Sequence, residues 1–466
     1  MSTASKARGT APIFGNVLEM IGNTPMLRLQ RLETGPCELW VKMENLNPGA
    51  SIKDRIAVRM IEEAERSGKL KPGGTIVEAT AGNTGLALAL VAAQKGYRLV
   101  VVVPDKMSDE KISHLRAMGA EVMLTRSDVG KGHPEYYQDI AARIAAERPN
   151  HFYTDQFSNP ANPQTHYDTT GPEIWEQMQG RIDAFVAGVG SGGTVSGVGK
   201  FLKERNPALQ MVLADPVGSI LAPLVNEKRK VEPGSWLVEG IGEDFIPDIL
   251  DMTLVDRAYA ISDAEAFRTA RELLRIEGVL AGSSVGTLLA AALRYCREQK
   301  SAKRVVTLIC DSGAKYLSKM FSDWWMVDNG FLERTTHGDL RDLIARRHLE
   351  HEDYVLSPDM PVLQAVKRMR MYGVSQLAVL DAGDRVVGIL DESDVLLAML
   401  KGPEAGQRPV GEYMTSRLET LPPSAGVNDL LPIFRADRVA IVADQDRFYG
   451  IITRIDLINY LRKRML

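Results

Sequence analysis

The chain is poor in the features that mark several large classes of protein. It holds three cysteines, Cys37, Cys296 and Cys310. None forms a C-x-x-C pair, which excludes a disulfide framework and favours a reducing, cytoplasmic setting. The seven histidines are scattered, and His133, His151 and His166 have no cysteine or histidine at ligand spacing, so no metal site is expected. The longest apolar stretch, around Leu86 to Ala93, is too short to span a bilayer. Lys6 and Arg8 near the start have no apolar segment behind them, so neither a signal peptide nor a membrane span is expected. Dense basic runs interleaved with aromatics are missing too. With 56 Lys+Arg against 60 Asp+Glu the net charge is −4, and nucleic acid is not an expected partner.

What is there is ample apolar material, 45% hydrophobic residues in 466, enough for about three domains at ~150 residues each. From residue 38 to 315, β-branched apolar runs alternate with amphipathic helical runs, with glycine at each junction. Thr75–Thr80 precedes Leu86–Lys95, Leu99–Val103 precedes Glu110–Met118, and Ala184–Ala187 precedes Gly197–Glu204. Strands that are apolar throughout imply a sheet covered on both faces, and the alternation implies an α/β fold with largely parallel sheets. Such sheets bind ligands beyond the carboxyl ends of their strands.

Three turn-rich segments sit at those ends. In Asn47-Pro-Gly-Ala-Ser-Ile-Lys-Asp-Arg55 a lysine, Lys53, stands in the opening turn of a helix, with Ser51 as the expected N-cap. The positive end of the helix dipole lowers the pKa of a lysine placed there, which suits Schiff-base chemistry. Thr80-Ala-Gly-Asn-Thr-Gly85 offers free N–H groups with hydroxyl and amide side chains, suited to a carboxylate, although an ordinary helix cap would look the same. Gly188-Val-Gly-Ser-Gly-Gly-Thr194 can converge its N–H groups on a phosphate, or be simply a tight turn. It is no Walker loop, because no lysine follows the glycines. A fourth turn, Ala281-Gly-Ser-Ser-Val-Gly286, places Ser284 where a hydroxyl could meet a ring nitrogen. Together these describe a site for pyridoxal phosphate and an amino acid.

After Phe331 the composition shifts. Residues 333–352 are rich in charge and read as a linker with a helical turn. An internal repeat follows: Val386-Val-Gly-Ile-Leu-Asp-Glu-Ser-Asp-Val395 is echoed by Phe448-Tyr-Gly-Ile-Ile-Thr-Arg-Ile-Asp-Leu457, with Gly388 and Gly450 in register. Helical runs precede each copy, Val362–Tyr372 and Gly426–Arg435, the second shortened or bent by Pro432.

Ile21-Gly-Asn-Thr-Pro25, Ser51-Ile-Lys-Asp-Arg55, Thr80–Gly85, Gly190–Thr194, Val238-Glu-Gly-Ile-Gly242 and Ala281–Ser284 resemble the ordered motifs of fold-type II pyridoxal phosphate enzymes, specifically the cystathionine β-synthase family and its cysteine synthase relatives. The repeat resembles a pair of CBS domains. The resemblance implies a catalytic region of two α/β subdomains over 1–332, a linker over 333–351, and a pseudo-symmetric α/β CBS pair over 352–405 and 406–466. It further implies that Lys53 binds the cofactor aldehyde and then removes the substrate α-proton. Asn83 would hydrogen-bond the ring 3′-oxygen. Gly190, Ser191, Gly192, Gly193 and Thr194 would hold the phosphate, and Ser284 would face the pyridine nitrogen. Thr80, Ala81, Thr84 and Gln156 would take the substrate carboxylate, with Glu239 and Gly240 on the loop nearest the second substrate. The implied reaction is β-replacement, serine or an activated serine with homocysteine giving cystathionine in transsulfuration, with hydrogen sulfide when cysteine replaces serine. The resemblance also implies a homodimer.

Departures from the family pattern set further expectations. The first cysteine is Cys37 and the first histidine His114, so no haem is expected. Asn206 and Leu209 stand near where animal members carry C-x-x-C. Ala81 replaces a common serine, which keeps O-acetylserine as a first substrate, and with it a cysteine synthase using sulfide. Glu243 replaces the tyrosine of animal members. In the CBS pair Thr453 and Asp456 match an adenosyl-ligand pattern, which makes S-adenosylmethionine the expected ligand there, while Asp391 in the first copy would repel the phosphates of AMP or ATP. A sensor with an inactive catalytic body is the reading from another class, and the intact Lys53 argues against it.

Overall fold

The computed structural model describes residues 12–80, 82–105, 107, 109–129, 132–444 and 447–465. It divides into two compact units, one ending at Trp325 and the other starting at Met326.

In the first unit ten strands follow in order: β1 (Met26–Arg28), β2 (Glu38–Lys42), β3 (Thr75–Ala79), β4 (Arg98–Pro104), β5 (Glu121–Thr125), β6 (His151–Tyr153), β7 (Ala184–Ala187), β8 (Gln210–Pro216), β9 (Arg257–Ile261) and β10 (Arg304–Leu308). They form a six-stranded sheet in the order β1-β2-β10-β7-β8-β9 and a four-stranded sheet in the order β5-β4-β3-β6. Every pairing is parallel except β1 with β2. The apolar runs explain this: every residue of β3 and β7 is buried, and β4 exposes only Arg98, so helices cover both faces. The edge strand β5 is half open, with Leu124 exposed.

Helices follow these strands at the expected places but begin earlier than periodicity indicates. They start at Lys53, Asn83 and Gly193, so Asn83, Thr84, Gly85, Gly193 and Thr194 already belong to a first helical turn. Ser51 is not the N-cap. Ile52 holds that position, and the Ser51 hydroxyl instead accepts a long bond, 3.3 Å, from the Lys53 N–H.

A buried ion network braces the lysine turn from behind. Arg55 donates to Glu44 (2.7 and 2.8 Å) and Glu173 (2.7 Å), and the ammonium of Lys42, wholly buried, also reaches Glu173 at 2.7 Å. Burial would raise the Glu173 carboxyl, but Arg55 and Lys42 outweigh it and hold it at about 2.

Glu78 on β3 shows the opposite case. Its carboxylate is buried and accepts from the Ala79 N–H (2.8 Å) and the Thr154 hydroxyl, with no cation beside it, and burial raises its pKa to about 8. A carboxyl raised on folding contributes stability that is present below its unfolded pKa and lost as pH rises towards 8. Glu78→Gln is therefore expected to flatten the fall in stability between pH 5 and 8 by nearly one proton, about 1.4 kcal/mol per pH unit, in urea titrations of both proteins.

The second unit holds two three-stranded sheets, Val355–Leu356 with Gln376–Leu380 and Val386–Asp391, and Thr420–Leu421 with Ala440–Ala443 and Phe448–Ile452. Each pairs its first two strands parallel and its last two antiparallel, so the sequence repeat is a structural repeat. The first helix runs over Val362–Tyr372. In the second copy a 3-10 turn, Val427–Asp429, leads into a short helix, Leu430–Arg435, with Pro432 in its first turn. Gly388 and Gly450 are glycines because another segment crosses each: an added Cβ would lie 2.3 Å from Met414 Sδ in one copy and 2.6 Å from Ile344 Cγ2 in the other. The charged stretch 333–351 does more than connect. It forms short turns at Leu340–Leu343 and His348–Glu350, and it buries Leu340, Leu343 and Ile344 in the core of the second copy with Leu430 and Phe434.

Candidate active site

Loops after β2, β3 and β7 and the turn before the Ser283–Glu298 helix carry the expected site residues, and the loop after β10 is bonded to the lysine turn and to Asn83. The Ile52 N–H donates to Cys310 O (2.8 Å), and the Ser312 N–H donates to Ala50 O (3.1 Å). Ala50 sits at φ 59°, a left-handed conformation that costs a non-glycine residue and is held by these bonds. The Lys53 ammonium makes no hydrogen bond among the described residues. Burial lowers its pKa, against the opposing pull of Cys310 and Asp311.

Asn83 opens the helix after β3. Its Nδ2 donates to Asp311 (2.8 Å) and its Oδ1 accepts from Lys315 (2.7 Å). The Thr84 hydroxyl donates to Gln156 Oε1 (2.7 Å), and Thr80 accepts from the Gly82 N–H (3.2 Å), so three of the four expected carboxylate-binding residues share one corner. The fourth, Ala81, lies outside the described residues.

Gly190–Thr194 links β7 to the Gly193–Arg205 helix, with Gly192 at φ 90°. The loop has no room for side chains at its glycines: a Cβ on Gly190 would lie 2.5 Å from Gly240 O, and one on Gly193 would lie 1.9 Å from Asn162 Oδ1. Asn162 donates to Ser191 Oγ and to Gln156 O, both at 2.9 Å, while its own Oδ1 is buried without a partner. A cradle of backbone N–H groups at a helix N-terminus, lined by hydroxyls and closed to a Cβ at its glycine positions, fits a phosphate. The Thr194 hydroxyl meets His166 Nε2 (3.3 Å), and His166 Nδ1 meets Thr170 (2.9 Å). His166 is thus a local hydrogen-bonding residue, its pKa driven well down by burial.

Ser284 lies in the first turn of the Ser283–Glu298 helix beside Cys310, whose thiol burial pushes up to about 12 and so keeps neutral. The Glu239 N–H donates to Ser283 Oγ (3.0 Å), and the Gly242 N–H donates to Val189 O (2.8 Å), laying the 239–242 loop against the phosphate loop. Burial would raise the Glu239 carboxyl, but Lys111 and Lys319, the latter at 2.7 Å, outweigh it and hold it below its ordinary range. Glu243 has the contrary setting. Burial, with Asp244 and Asp215 near, drives its carboxyl well above the ordinary range.

Motifs pointed to Lys53, Asn83, Thr84, Gln156, the phosphate loop and Ser284, and the structure gathers them. Sequence reasoning missed Asn162, Cys310, Asp311, Lys315 and Tyr316. The signal for the last four was that Asp311-Ser-Gly313 ends an apolar strand in the same way as the three turns that were recognised.

A largely parallel α/β body with a buried lysine at a helix start and a glycine phosphate cradle defines a pyridoxal-phosphate-dependent enzyme. The family model "Pyridoxal-phosphate dependent enzyme" matches residues 17–311, and the CBS domain model matches 341–401 and 410–463. The chain belongs to the cystathionine β-synthase family: it is 38% identical to cystathionine β-synthase of Oryctolagus cuniculus over 97% of this chain and 86% of that protein. It is 34% identical to the Saccharomyces cerevisiae enzyme over 98% and 100%. The O-acetylserine dependent cystathionine β-synthase of Bacillus subtilis is 43% identical over 66% of this chain and 97% of that protein. Among solved structures, a hydrogen sulfide-producing enzyme from Fusobacterium nucleatum is similar with TM-score 0.61 and 37% identity, over 66% of this chain and 99% of that one. Among the described residues no helix is long and apolar enough to cross a membrane, and no cluster could hold a metal ion.

Proposed function

We propose that the chain joins L-serine, or an activated serine, to L-homocysteine, forming L-cystathionine in a transsulfuration step. The observation that carries this reading is the joining of the lysine turn, the carboxylate corner and the phosphate loop in a chain related to cystathionine β-synthases along nearly its whole length. Pyridoxal phosphate, when bound, supplies the electron sink for an α-carbanion. The protein's own part is binding and proton movement. The backbone of Gly190, Ser191, Gly192, Gly193 and Thr194 would hold the phosphate, and Asn83 would donate to the ring oxygen. Ser284, a hydroxyl rather than a carboxylate, leaves the ring nitrogen less protonated, which suits loss of a β-substituent. Thr80, Ala81, Thr84 and Gln156 orient the substrate carboxylate. Lys53 is the anchor first, then the base that takes the α-proton. Glu239 and Gly240 border the second substrate.

Similarity to the O-acetylserine dependent B. subtilis enzyme supports O-acetylserine as an activated first substrate, and with it sulfide as a second. Similarity to the hydrogen sulfide-producing F. nucleatum enzyme supports hydrogen sulfide release from cysteine plus homocysteine. Crossing serine, O-acetylserine and cysteine with homocysteine and sulfide, and reading the products, decides among them. Cystathionine from serine or O-acetylserine supports the proposal, and cysteine as the sole product overturns it. The reading includes a homodimer and a reducing cytosol, which suits the three free thiols.

S-adenosylmethionine is proposed at the second CBS copy. Thr453 donates to Asp456 from both its N–H (2.7 Å) and its hydroxyl (2.6 Å), setting two oxygens side by side for the hydroxyls of a ribose. The first copy closes the same turn with Asp391 and Asp394, a carboxylate pair unsuited to phosphates. Ligand at 100 times its Kd is expected to stabilise the wild type by about 2.7 kcal/mol, seen as a higher Tm, and Thr453→Ala to reduce the gain. No change in Tm or rate with the wild type removes this site.

A further inference from the structure

Asn83 is gripped at both ends by charge. A lysine ammonium has only donors and a carboxylate only acceptors, so Lys315 at 2.7 Å must hold the oxygen and Asp311 at 2.8 Å the NH2 group. The amide cannot flip, and one Nδ2–H is left over. Asp311 is itself fixed by the Tyr316 hydroxyl at 2.7 Å. Lys315 also donates to Gly49 O at 3.1 Å, in the loop that carries Lys53. Both charged groups are buried, Lys315 8% exposed and Asp311 1%. Desolvating an ammonium is expensive, and a neutral side chain or a water molecule would satisfy a structural amide as well. What a cation adds is polarisation: drawing electron density towards Oδ1 makes the opposite N–H a stronger donor.

We infer that Lys315 is a positioning residue for the cofactor ring, locking the Asn83 amide so that its remaining Nδ2–H meets the ring 3′-oxygen and holds that oxygen in its ionised form. The inference rests on the pyridoxal phosphate reading and assigns no proton transfer to Lys315. Its effect falls on the electronic state of the bound cofactor, because an ionised 3′-oxygen belongs to the yellow-absorbing form and a protonated one to the near-ultraviolet form.

The test compares full-length wild type, Lys315→Met and Lys315→Arg, each stripped and reloaded with pyridoxal phosphate, and reads the ratio of yellow to near-ultraviolet absorbance at one pH. Borohydride reduction followed by peptide mapping confirms attachment at Lys53 in each. Lys315→Met is expected to lower the ratio roughly fivefold, the scale of one ordinary net hydrogen bond, and Lys315→Arg to restore most of it. A merely structural lysine would change Tm and leave the ratio alone. Should Lys315→Met fail to fold, Lys315→Gln, which keeps a donor without the charge, is read the same way. A coloured wild type with an unchanged ratio in the neutral variant overturns this inference alone. A wild type that neither colours nor attaches at Lys53 overturns the cofactor reading and this inference with it.

Discussion

Lys53→Ala is expected to abolish turnover and the yellow colour together. Two roles vanish with one amine. Loss of a general base alone costs roughly 10²–10⁴-fold, and loss of the covalent anchor adds to it. The surroundings explain why no neighbour substitutes. Lys42 is locked on Glu173 at 2.7 Å and Lys315 on Asn83 at 2.7 Å, while Lys111 and Lys319 are both held by Glu239. Lys53 alone of these five makes no hydrogen bond among the described residues, and burial lowers its pKa. Absorbance spectra and product assays on purified protein check the expectation, and an active, yellow variant would sink the assignment.

Gly193→Ala is expected to release the cofactor without touching the lysine. The new Cβ would lie 1.9 Å from Asn162 Oδ1 and 2.5 Å from its Cγ, so Asn162 must move. That side chain ties Ser191 in the phosphate loop to the backbone of Gln156 in the carboxylate corner. Breaking two buried bonds costs about 1–3 kcal/mol each when partners are left unsatisfied, so affinity for pyridoxal phosphate should fall at least ~10-fold and KM for the amino acid should rise. Fluorescence titration of the stripped enzyme measures the first and steady-state kinetics the second. A normal cofactor affinity in Gly193→Ala would refute the phosphate cradle.

How far the sequence was readable follows from the range of each interaction. The parallel-sheet class was legible because β3, β4 and β7 are apolar on both faces, a property of consecutive residues. Thr80–Gly85 and Gly188–Thr194 are legible as turns that open helices, and the helices do start inside them at Asn83 and Gly193, while the apolar period begins only at Leu86 and Gly197 because glycine and small polar residues carry none. Ser51 was misread as a cap because cap chemistry does not reveal which residue first adopts helical angles. Leu340, Leu343 and Ile344 were hidden inside a run of charge. Asn162, Asp311 and Lys315 were invisible for a different reason. Their partners are distant in the chain, so no local period announces them.

The last strand of the catalytic unit, β10, lies in the middle of its sheet, between β2 and β7. On a ribosome, the pieces made first therefore wait for the piece made last. Until residues near 308 emerge, β2 and β7 have no common neighbour, and until 310–315 emerge Asn83 lacks Asp311 and Lys315 and the lysine turn lacks its bonds to Cys310 and Ser312. Insertion of β10 is a late step of high contact order, and a nascent chain that ends between β7 and β10 carries two open strand edges that invite association with other chains.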